Sequence, residues 1–251
     1  MRLLALYARA IHAFRALLER RGLLPLLDER ATRSPRALWA RSLLSVMDFD
    51  DFTKLDLPWW TFTASAEVAG FLSRRPQARV FEWGSGSSTV WLAQRSASVT
   101  SIESDAGWAQ RVSASVAGHV AIMAPPISRA TRSTRVRSKR WGYRSLDFSA
   151  YVNAIDTVPG DFDLIVIDGR AREACFARAL PRLAADGMIV FDNTNRRRYR
   201  RVLKNHRDEI AVTMSTGLTP ILPWPSTTAL VTRRPTQAAT SAEERVARTL
   251  A

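Results

Sequence analysis

The sequence predicts an α/β fold in which a doubly wound, mostly parallel sheet carries helices on both faces. Two observations support this prediction. From Pro58 onwards, short apolar segments alternate with segments of helical character. The segments "LIVID" and "MIVFD" are apolar at successive positions, which is typical of strands buried on both faces. Such alternation implies right-handed crossovers between parallel strands.

The alternation predicts seven strands separated by helices, in a domain that spans residues 58–234. The predicted strands cover residues 79–82, 99–103, 120–124, 162–168, 188–192, 210–214 and 228–232. The predicted helices between the first five strands, and before them, cover residues 63–74, 87–95, 105–117, 147–155 and 173–184. The remaining residues, 235–251, are polar and are predicted to form a flexible tail.

Residues 1–57 predict a helical extension that is separate from the sheet. Five apolar side chains recur at helical spacing and would share one face: Leu3, Tyr7, Ile11, Phe14 and Leu18. Gly22 and Pro25 are predicted to end this helix. Ser34 followed by Pro35 is typical of an N-cap that begins a second helix.

Two interpretations of this extension stay open. Its apolar face and its arginines would suit peripheral contact of residues 1–25 with an anionic membrane, which would place the protein at the inner membrane face. The same apolar face would also suit packing on the main domain or on a second subunit, and the second subunit would make a homodimer.

Cysteine content and hydropathy favour a cytoplasmic protein. Cys175 is the single cysteine and cannot form an intramolecular disulfide, so we expect a reducing compartment. No run of about 18 uncharged apolar residues predicts a membrane-spanning helix. Arg9 and Arg15 interrupt the apolar N-terminal segment, and no convincing cleavage site follows it, which argues against a signal peptide.

The net charge is +14, and almost all of the positive charge is arginine. A surface of this kind favours anionic partners, namely phosphorylated or carboxylated substrates, nucleic acid or an acidic membrane. An arginine-rich base composition of the genome would produce the same excess, so the charge alone does not choose among these explanations.

The segment "VFEWGSGSST", residues 80–89, places a glycine turn where the first predicted strand ends. Gly84 and Gly86 let the backbone turn tightly and approach a ligand. Ligands of doubly wound sheets bind at the carboxyl ends of the strands, so this turn is a candidate binding loop. The third glycine of a dinucleotide fingerprint is absent, because position 89 is threonine.

Two acids indicate the ligand. Glu82 lies two residues before the turn, where a carboxylate would attract an ammonium or sulfonium centre. Glu103 ends the second predicted strand, where it would accept hydrogen bonds from both ribose hydroxyls unless it is merely a solvated strand end. S-adenosylmethionine has these cationic centres and a ribose, and its carboxylate would suit the free amides of the next helix. The sequence therefore predicts S-adenosylmethionine as cofactor.

The segments "VFEWGSGSSTVWLA" and "VTSIESDAGWAQRV" resemble motif I and the second-strand acid of class I S-adenosylmethionine-dependent methyltransferases. The resemblance continues through "FDLIVIDGRAREAC", "ADGMIVFDNTNRRRY" and "GLTPILPWPSTTAL", covers residues 58–234, and is greatest for bacterial small-molecule and glycan methyltransferases. It implies a Rossmann-like, seven-stranded sheet whose last strand is antiparallel. It also implies that Glu82, Gly84, Gly86 and Glu103 line the cofactor. We predict that Ser85, Ser88, Ser104 and Asp168 belong to the same site.

Three oxygen-bearing side chains follow the fourth and fifth predicted strands: Asp168, Asp192 and Asn193. Adjacent strands lie about 4.8 Å apart, so these side chains should converge. The set suits Mg²⁺ and resembles the metal triad of catechol-type O-methyltransferases, in which the ion gathers two substrate oxygens and lowers a hydroxyl pKa. No lysine near Asp168 corresponds to the lysine that this family has at that place. Asp168 as a lone base or orienting group, and Asp192–Asn193 as a simple turn, therefore stay open.

Arginines surround the predicted acceptor side. Arg170 is predicted to be catalytic together with Asp168 and Asp192, and Arg170 and Arg172 could hold a substrate carboxylate or phosphate bidentately. Two basic clusters, residues 129–144 and 196–207, either face the acceptor or form solvated loops.

The aromatic residues and histidines are less informative. Trp59, Trp60 and Trp224 would form either an aromatic wall for a ring-shaped acceptor or part of the core. None of the three histidines falls at the carboxyl end of a strand, so we do not expect a histidine base.

These features predict O-methylation of a hydroxyl on a small molecule or glycan, and assistance by a divalent metal ion stays open. The charge suggests RNA methylation as an alternative. Methylation of a base amine usually carries an Asn- or Asp-Pro-Pro-aromatic signature after the fourth strand, where this sequence reads "DGRA". A non-catalytic protein of the same fold that binds an anionic membrane or partner is a third hypothesis.

Overall fold

A computed structural model, which describes residues 2–139 and 141–234, contains the predicted alternation of strands and helices. The strands are β1 (Arg79–Trp83), β2 (Ser98–Ile102), β3 (Val120–Met123), β4 (Ser128–Arg129), β5 (Leu146–Asp147), β6 (Phe162–Ile167), β7 (Leu183–Phe191), β8 (Ile210–Gly217) and β9 (Ser226–Arg233). The helices are α1 (Arg2–Arg20), α2 (Leu23–Ala31), α3 (Pro35–Ser42), α4 (Phe49–Thr53), α5 (Phe62–Ser73), α6 (Ser87–Ala93), α7 (Ala106–Ser113), α8 (Ser149–Asn153), α9 (Arg172–Ala179) and α10 (Arg197–Asn205).

Seven of these strands form one sheet in the order β3-β2-β1-β6-β7-β9-β8. The first five strands of that order are mutually parallel, and β9 runs antiparallel to both β7 and β8. The predicted Rossmann-like sheet with an antiparallel last strand is therefore confirmed. Strand order reverses between β1 and β6, so the carboxyl ends of these two neighbours form the switch point at which ligands of such sheets bind.

Burial on both faces fixes the central strands. Phe81 and Ile165 contribute to one apolar cluster, and Val80 and Leu164 contribute to another on the opposite face. Side chains of successive strand residues point to opposite faces, so a strand with clusters on both sides must be apolar throughout. This requirement accounts for the runs "LIVID" and "MIVFD" in β6 and β7.

The N-terminal helices pack against the sheet domain. An apolar cluster joins Phe52 and Leu57 to Ile221, which lies in the loop between β8 and β9. The indole nitrogen of Trp39 donates a hydrogen bond to the carbonyl of Leu222 at 2.9 Å. A buried guanidinium, that of Arg41, also joins the helices through two 2.9 Å bonds to Asp51 and one 2.6 Å bond to Asp28.

The helical face predicted for α1 is partly wrong. Ala8 is buried and Ile11 is half-buried, but Tyr7 and Phe14 are exposed, at 42% and 51%. Arg15 points inward because Asp48 and Asp51 bind it at 2.7 and 2.6 Å. These ion pairs rotate the buried face of the helix away from the one that apolar spacing alone predicts.

Three differences from the predicted elements have a clear physical cause. Pro25 lies in the first turn of α2, where a missing amide hydrogen costs nothing, so it begins a helix here. The helix predicted over residues 173–184 ends earlier, because Leu183 already pairs with Phe162 in β7. The basic segment 196–207 is mostly helical, as α10, because Tyr199 and Leu203 are buried on one of its faces.

Two other predictions concern the ends of the chain. Among the described residues, no helix combines the length and the apolar character that crossing a bilayer would require. The tail predicted over residues 235–251 lies outside the described residues.

Candidate functional site

The glycine turn follows β1 directly and requires glycine. Gly84 has a φ of +104°, and a Cβ there would lie 2.7 Å from the Cα of Gly169, which follows β6. A side chain would therefore clash with backbone. A Cβ at Gly86 would meet no heavy atom within 4 Å, so the main chain borders open space. The two glycines thus bring bare backbone to the switch point.

Glu82 is fully buried beneath this turn. Its carboxylate accepts hydrogen bonds from the hydroxyls of Ser88 and Thr89, both at 2.5 Å, and of Ser101 at 2.7 Å. Ser85 is linked to the same group through the hydroxyl of Ser101. These contacts tie the turn to β1 and β2, so we infer that Glu82 shapes the loop. Direct contact between Glu82 and a cationic ligand stays a prediction.

Because Glu82 is buried, its protonation should be coupled to folding. Burial raises the pKa of Glu82 from 4.5 to about 7, although the three hydroxyls act in the opposite direction. Above pH 4.5 the unfolded chain releases a proton that the folded state retains. The free energy of unfolding should therefore fall as the pH rises from about 4.5 to about 7, by about 3 kcal/mol for this group.

Urea unfolding of wild type and Glu82→Gln over pH 4–8 measures this effect. We expect the variant to lose the Glu82 part of the pH dependence. Glu67→Gln, an exposed acid on α5, serves as the control and should keep the wild-type profile. Identical profiles for wild type and Glu82→Gln would contradict the assignment.

Glu103 follows β2, the strand that pairs in parallel with β1. Its Oε1 accepts hydrogen bonds from the amides of Ser104 and Asp105, at 2.6 and 3.0 Å, and from the hydroxyl of Ser104 at 3.0 Å. No described residue donates to Oε2. Burial raises the pKa of Glu103, and these amides oppose the shift. The side chain is thus held rigidly with one carboxylate oxygen left to accept further hydrogen bonds.

A buried arginine connects the two acids that follow β6 and β7. Nη2 of Arg172 donates to Oδ1 of Asp168 at 2.6 Å, and Nη1 lies 3.7 Å from Oδ2 of Asp192. The same guanidinium donates to the backbone carbonyls of Gly169, Asp168 and Asp192. Because the ends of the two strands take these donors, Arg172 is not placed to hold a substrate carboxylate or phosphate bidentately, contrary to the prediction.

Asp192 and Asn193 form a closed turn. Oδ1 of Asp192 accepts the hydroxyl of Thr228 at 2.7 Å, and Oδ2 accepts the amide nitrogen of Asn193. Asn193 has a φ of +58°, a conformation that asparagine tolerates in turns. Sequence reasoning missed Thr228, since nothing in the sequence shows that β9 inserts beside β7.

The predicted metal set does not fit Mg²⁺ in this arrangement. Arg172 supplies the positive charge beside Asp168 and Asp192, and both oxygens of Asp192 accept protein hydrogen bonds. Asn193 directs its amide nitrogen, a donor, toward Asp192. Among residues 2–139 and 141–234, no cluster of three histidine, cysteine or acidic side chains suits a metal ion. The interpretation of Asp192–Asn193 as a turn agrees with these contacts.

Asp168 has one carboxylate oxygen, Oδ2, that could accept a hydrogen bond or a proton from a ligand. Arg172 occupies Oδ1, whereas no residue of the described part of the chain donates to Oδ2. About 20% of the side chain is exposed, beside the turn formed by Gly84 and Gly169. Burial raises the pKa of Asp168, and the nearby Asp192 adds to the shift, while Arg172 opposes it. Asp168 is therefore more basic than an ordinary carboxylate.

Residues 81–194 match the model of a family described as a methyltransferase domain. The chain contains a methyltransferase domain. The match, the sheet order and the antiparallel β9 agree with the resemblance to class I S-adenosylmethionine-dependent methyltransferases. No curated protein matches the sequence.

Solved structures with a similar fold include methyltransferases of several kinds. The O-methyltransferase TomG of Streptomyces achromogenes, involved in tomaymycin synthesis and solved with S-adenosylmethionine, is 18% identical, with a TM-score of 0.48 over 78% of this chain and 89% of its own. An rRNA methylase of Streptococcus thermophilus is 12% identical, with a TM-score of 0.46 over 67% and 95%. A precorrin-6y C5,15-methyltransferase of Geobacter metallireducens is 14% identical, with a TM-score of 0.45 over 69% and 88%. Likeness at this level does not identify an acceptor.

On the predicted acceptor side, the methyltransferase has a small basic cleft, with a cavity volume of about 40 Å³. We use "basic cleft" for the space lined by Lys139, Arg170, Arg172, Glu173, Arg196, Arg198 and Tyr199, with Ser138, Gly169, Ala171 and Asn193. The cleft opens beside Asp168, where β6 and β7 end. Arg170 thus lies on the predicted side of the site, and Arg196 and Arg198 from the second basic cluster join it.

The tryptophans, the cysteine and the histidines considered in the sequence analysis lie outside the lining of the basic cleft. Trp60 is fully buried in the core, whereas Trp59 and Trp224 are exposed, at 44% and 60%, and form no wall with it. Cys175 is buried, as expected for a small apolar residue in a helix. The three histidine rings each hydrogen-bond a backbone carbonyl, those of Val46, Ala93 and Val202.

Proposed function

We propose that this methyltransferase transfers the methyl group of S-adenosylmethionine to a hydroxyl of a small molecule or glycan, without a metal ion. The observation that carries the proposal is Asp168, which follows β6 next to the glycine turn: Arg172 holds its Oδ1, and no described residue donates to its Oδ2. A carboxylate oriented in this way is suited to accept a hydroxyl proton.

The cofactor would lie between the glycine turn and Glu103. Gly84 and Gly86 leave room for close approach to the main chain, and Oε2 of Glu103 would accept the ribose hydroxyls. Ser85, Ser88 and Ser104 would act indirectly, because their hydroxyls bind Ser101, Glu82 and Glu103. When bound, S-adenosylmethionine supplies an electrophilic methyl group on a sulfonium.

In the proposed reaction, bound S-adenosylmethionine would supply its methyl group to the hydroxyl oxygen, and S-adenosylhomocysteine would be the product that leaves. Oδ2 of Asp168 takes the hydroxyl proton. Arg172 orients Asp168 and Asp192 keeps Arg172 in place, so Asp192 is a positioning residue and not a metal ligand. The base works best when it is pre-oriented, because a rigid site keeps the reacting atoms within reach.

Mass spectrometry with a methyl-deuterated donor tests this function. The purified protein would be incubated with a panel of hydroxylated sugars, sugar phosphates and phenols, with and without EDTA. We expect labelled methyl ethers and equal rates in the two conditions. If EDTA abolished activity and added Mg²⁺ restored it, the metal-free mechanism would be contradicted. Labelling of amines or nucleobases alone would contradict O-methylation.

Other partners remain predictions with tests of their own. Contact of residues 1–25 with an anionic membrane agrees with the exposed side chains of Leu6, Phe14 and Leu17 on α1, and co-sedimentation with phosphatidylserine vesicles would measure it. Sedimentation velocity would detect the predicted homodimer. Salt-dependent RNA binding would favour the nucleic-acid alternative.

A further inference from the structure

The basic cleft contains guanidinium groups whose donors are only partly used. Nε of Arg170 and Nε of Arg198 are buried and have no hydrogen-bond partner among the described residues. A buried donor without a partner destabilises a protein by about 1–3 kcal/mol, and by more when it is charged. A ligand that accepted hydrogen bonds from both arginines would remove this penalty.

Aromatic rings hold these arginines in place. The guanidinium of Arg170 stacks over Tyr143 at 4.6 Å, and that of Arg198 stacks over Tyr199 at 4.7 Å. Arg196 lies 5.8 Å from the centre of the same Tyr199 ring. Stacking restricts a long side chain before a ligand arrives, which lowers the entropy that binding costs.

Cations outnumber anions in this cleft. Its lining contributes five cationic side chains and one carboxylate, that of Glu173. Lys139 pairs with Glu173 at 2.9 Å, and Arg172 is neutralised by Asp168 and Asp192. Nε of Arg198 lies 3.9 Å from Glu173, beyond hydrogen-bond distance, and among the described residues no acid pairs with Arg170 or Arg196. An excess of positive charge therefore faces the cleft.

We propose that the acceptor of this methyltransferase carries a phosphate monoester, which Arg170, Arg196 and Arg198 bind in the basic cleft. The assignment rests on the proposed function, because it places the phosphate in the space beside Asp168. A phosphate offers several acceptor oxygens and up to two negative charges. It therefore matches three guanidinium groups, from the segment after β6 and from the start of α10, better than a carboxylate does. Binding there would anchor one end of a small acceptor and leave a hydroxyl free to reach Asp168.

Calorimetric titration with inorganic phosphate, with S-adenosylmethionine present at saturation, tests this assignment. We expect phosphate to bind wild type and acetate to bind it more weakly. Arg198→Gln should weaken phosphate binding about tenfold, because charge-assisted hydrogen bonds are lost. Arg201→Gln, an equal loss of charge on the exposed side of α10, is the matched control and should change the affinity less than twofold.

Binding of S-adenosylmethionine by each variant, measured separately, shows that the variant is folded and tests the proposed function on its own. If the donor binds and phosphate does not, the phosphate assignment fails while the proposed function stands. Equal losses in Arg198→Gln and Arg201→Gln would also overturn the assignment, since the attraction would then be diffuse. Displacement of bound phosphate by a short single-stranded RNA and by glucose 6-phosphate would be compared. More effective displacement by the RNA would overturn the proposal that the acceptor is a small molecule.

Discussion

Asp168→Asn should lower kcat for methyl transfer by about 10²–10⁴-fold, the range typical of a lost general base. The amide keeps the shape of the side chain and can still accept a hydrogen bond from Arg172, but it cannot take a proton from the acceptor. Because the proposed role of Asp168 is to take a proton from the acceptor, the Kd for S-adenosylmethionine should change far less than kcat does. An equally large change in Kd would instead favour the cofactor contact that the sequence predicts for Asp168.

The pH dependence provides a second measurement of the same residue. Burial raises the pKa of Asp168, so the carboxylate form that accepts a proton accumulates only at a pH above its ordinary range. The wild-type rate should rise with pH through this pKa, and Asp168→Asn should lose that rise.

Asp161→Asn is a suitable control for Asp168→Asn. Asp161 lies next to the opposite end of β6, and its side chain is exposed. The control should keep the wild-type kcat and the wild-type pH profile. A wild-type kcat in Asp168→Asn would contradict the role of Asp168 as base and would favour an acceptor that is already deprotonated.

Glu103→Ala should weaken binding of S-adenosylmethionine about 100-fold. The substitution removes the acceptor that we expect for the ribose hydroxyls, and each hydrogen bond to a charged group contributes about 1.5–3 kcal/mol. It also leaves the amides of Ser104 and Asp105 without their partner, so the segment that follows β2 should lose rigidity. Calorimetric titration with the donor measures both proteins under the same conditions.

Glu67→Ala, which removes an exposed acid on α5, should bind the donor as wild type does. Unchanged affinity in Glu103→Ala would contradict the assigned ribose contact. Binding of NAD in place of S-adenosylmethionine would contradict the cofactor assignment as a whole.

The cofactor side of the site was predictable because its signals are local. A strand that is buried on both faces must be apolar at successive positions, and a φ of +104° with backbone 2.7 Å away requires glycine at position 84. The environment of Glu82 was not predictable, since its hydroxyl partners come from the first turn of α6 and from β2. Sequence reasoning placed this acid against a cationic ligand, whereas the structure surrounds it with Ser88, Thr89 and Ser101.

The acceptor side depended on contacts between distant segments. Arg170 and Arg172 are two residues apart in the same basic segment, and no periodicity distinguishes them. In the structure Arg172 turns inward to Asp168 and Asp192, while Arg170 stacks on Tyr143 in the cleft. The predicted metal triad fails for the same reason, because the cation that the acids bind comes from the start of α9.

The sequence by itself determined the α/β class, the glycine turn and the acids that flank it, because burial periodicity and backbone freedom act over a few neighbouring residues. Only the tertiary structure decided which charges are neutralised and which remain available. The insertion of β9 beside β7 brings Thr228 to Asp192, whereas Nε of Arg170 and Nε of Arg198 have no hydrogen-bond partner among the described residues. Ion pairing is settled by distances between segments far apart in the chain, and such distances exist only once the sheet has formed.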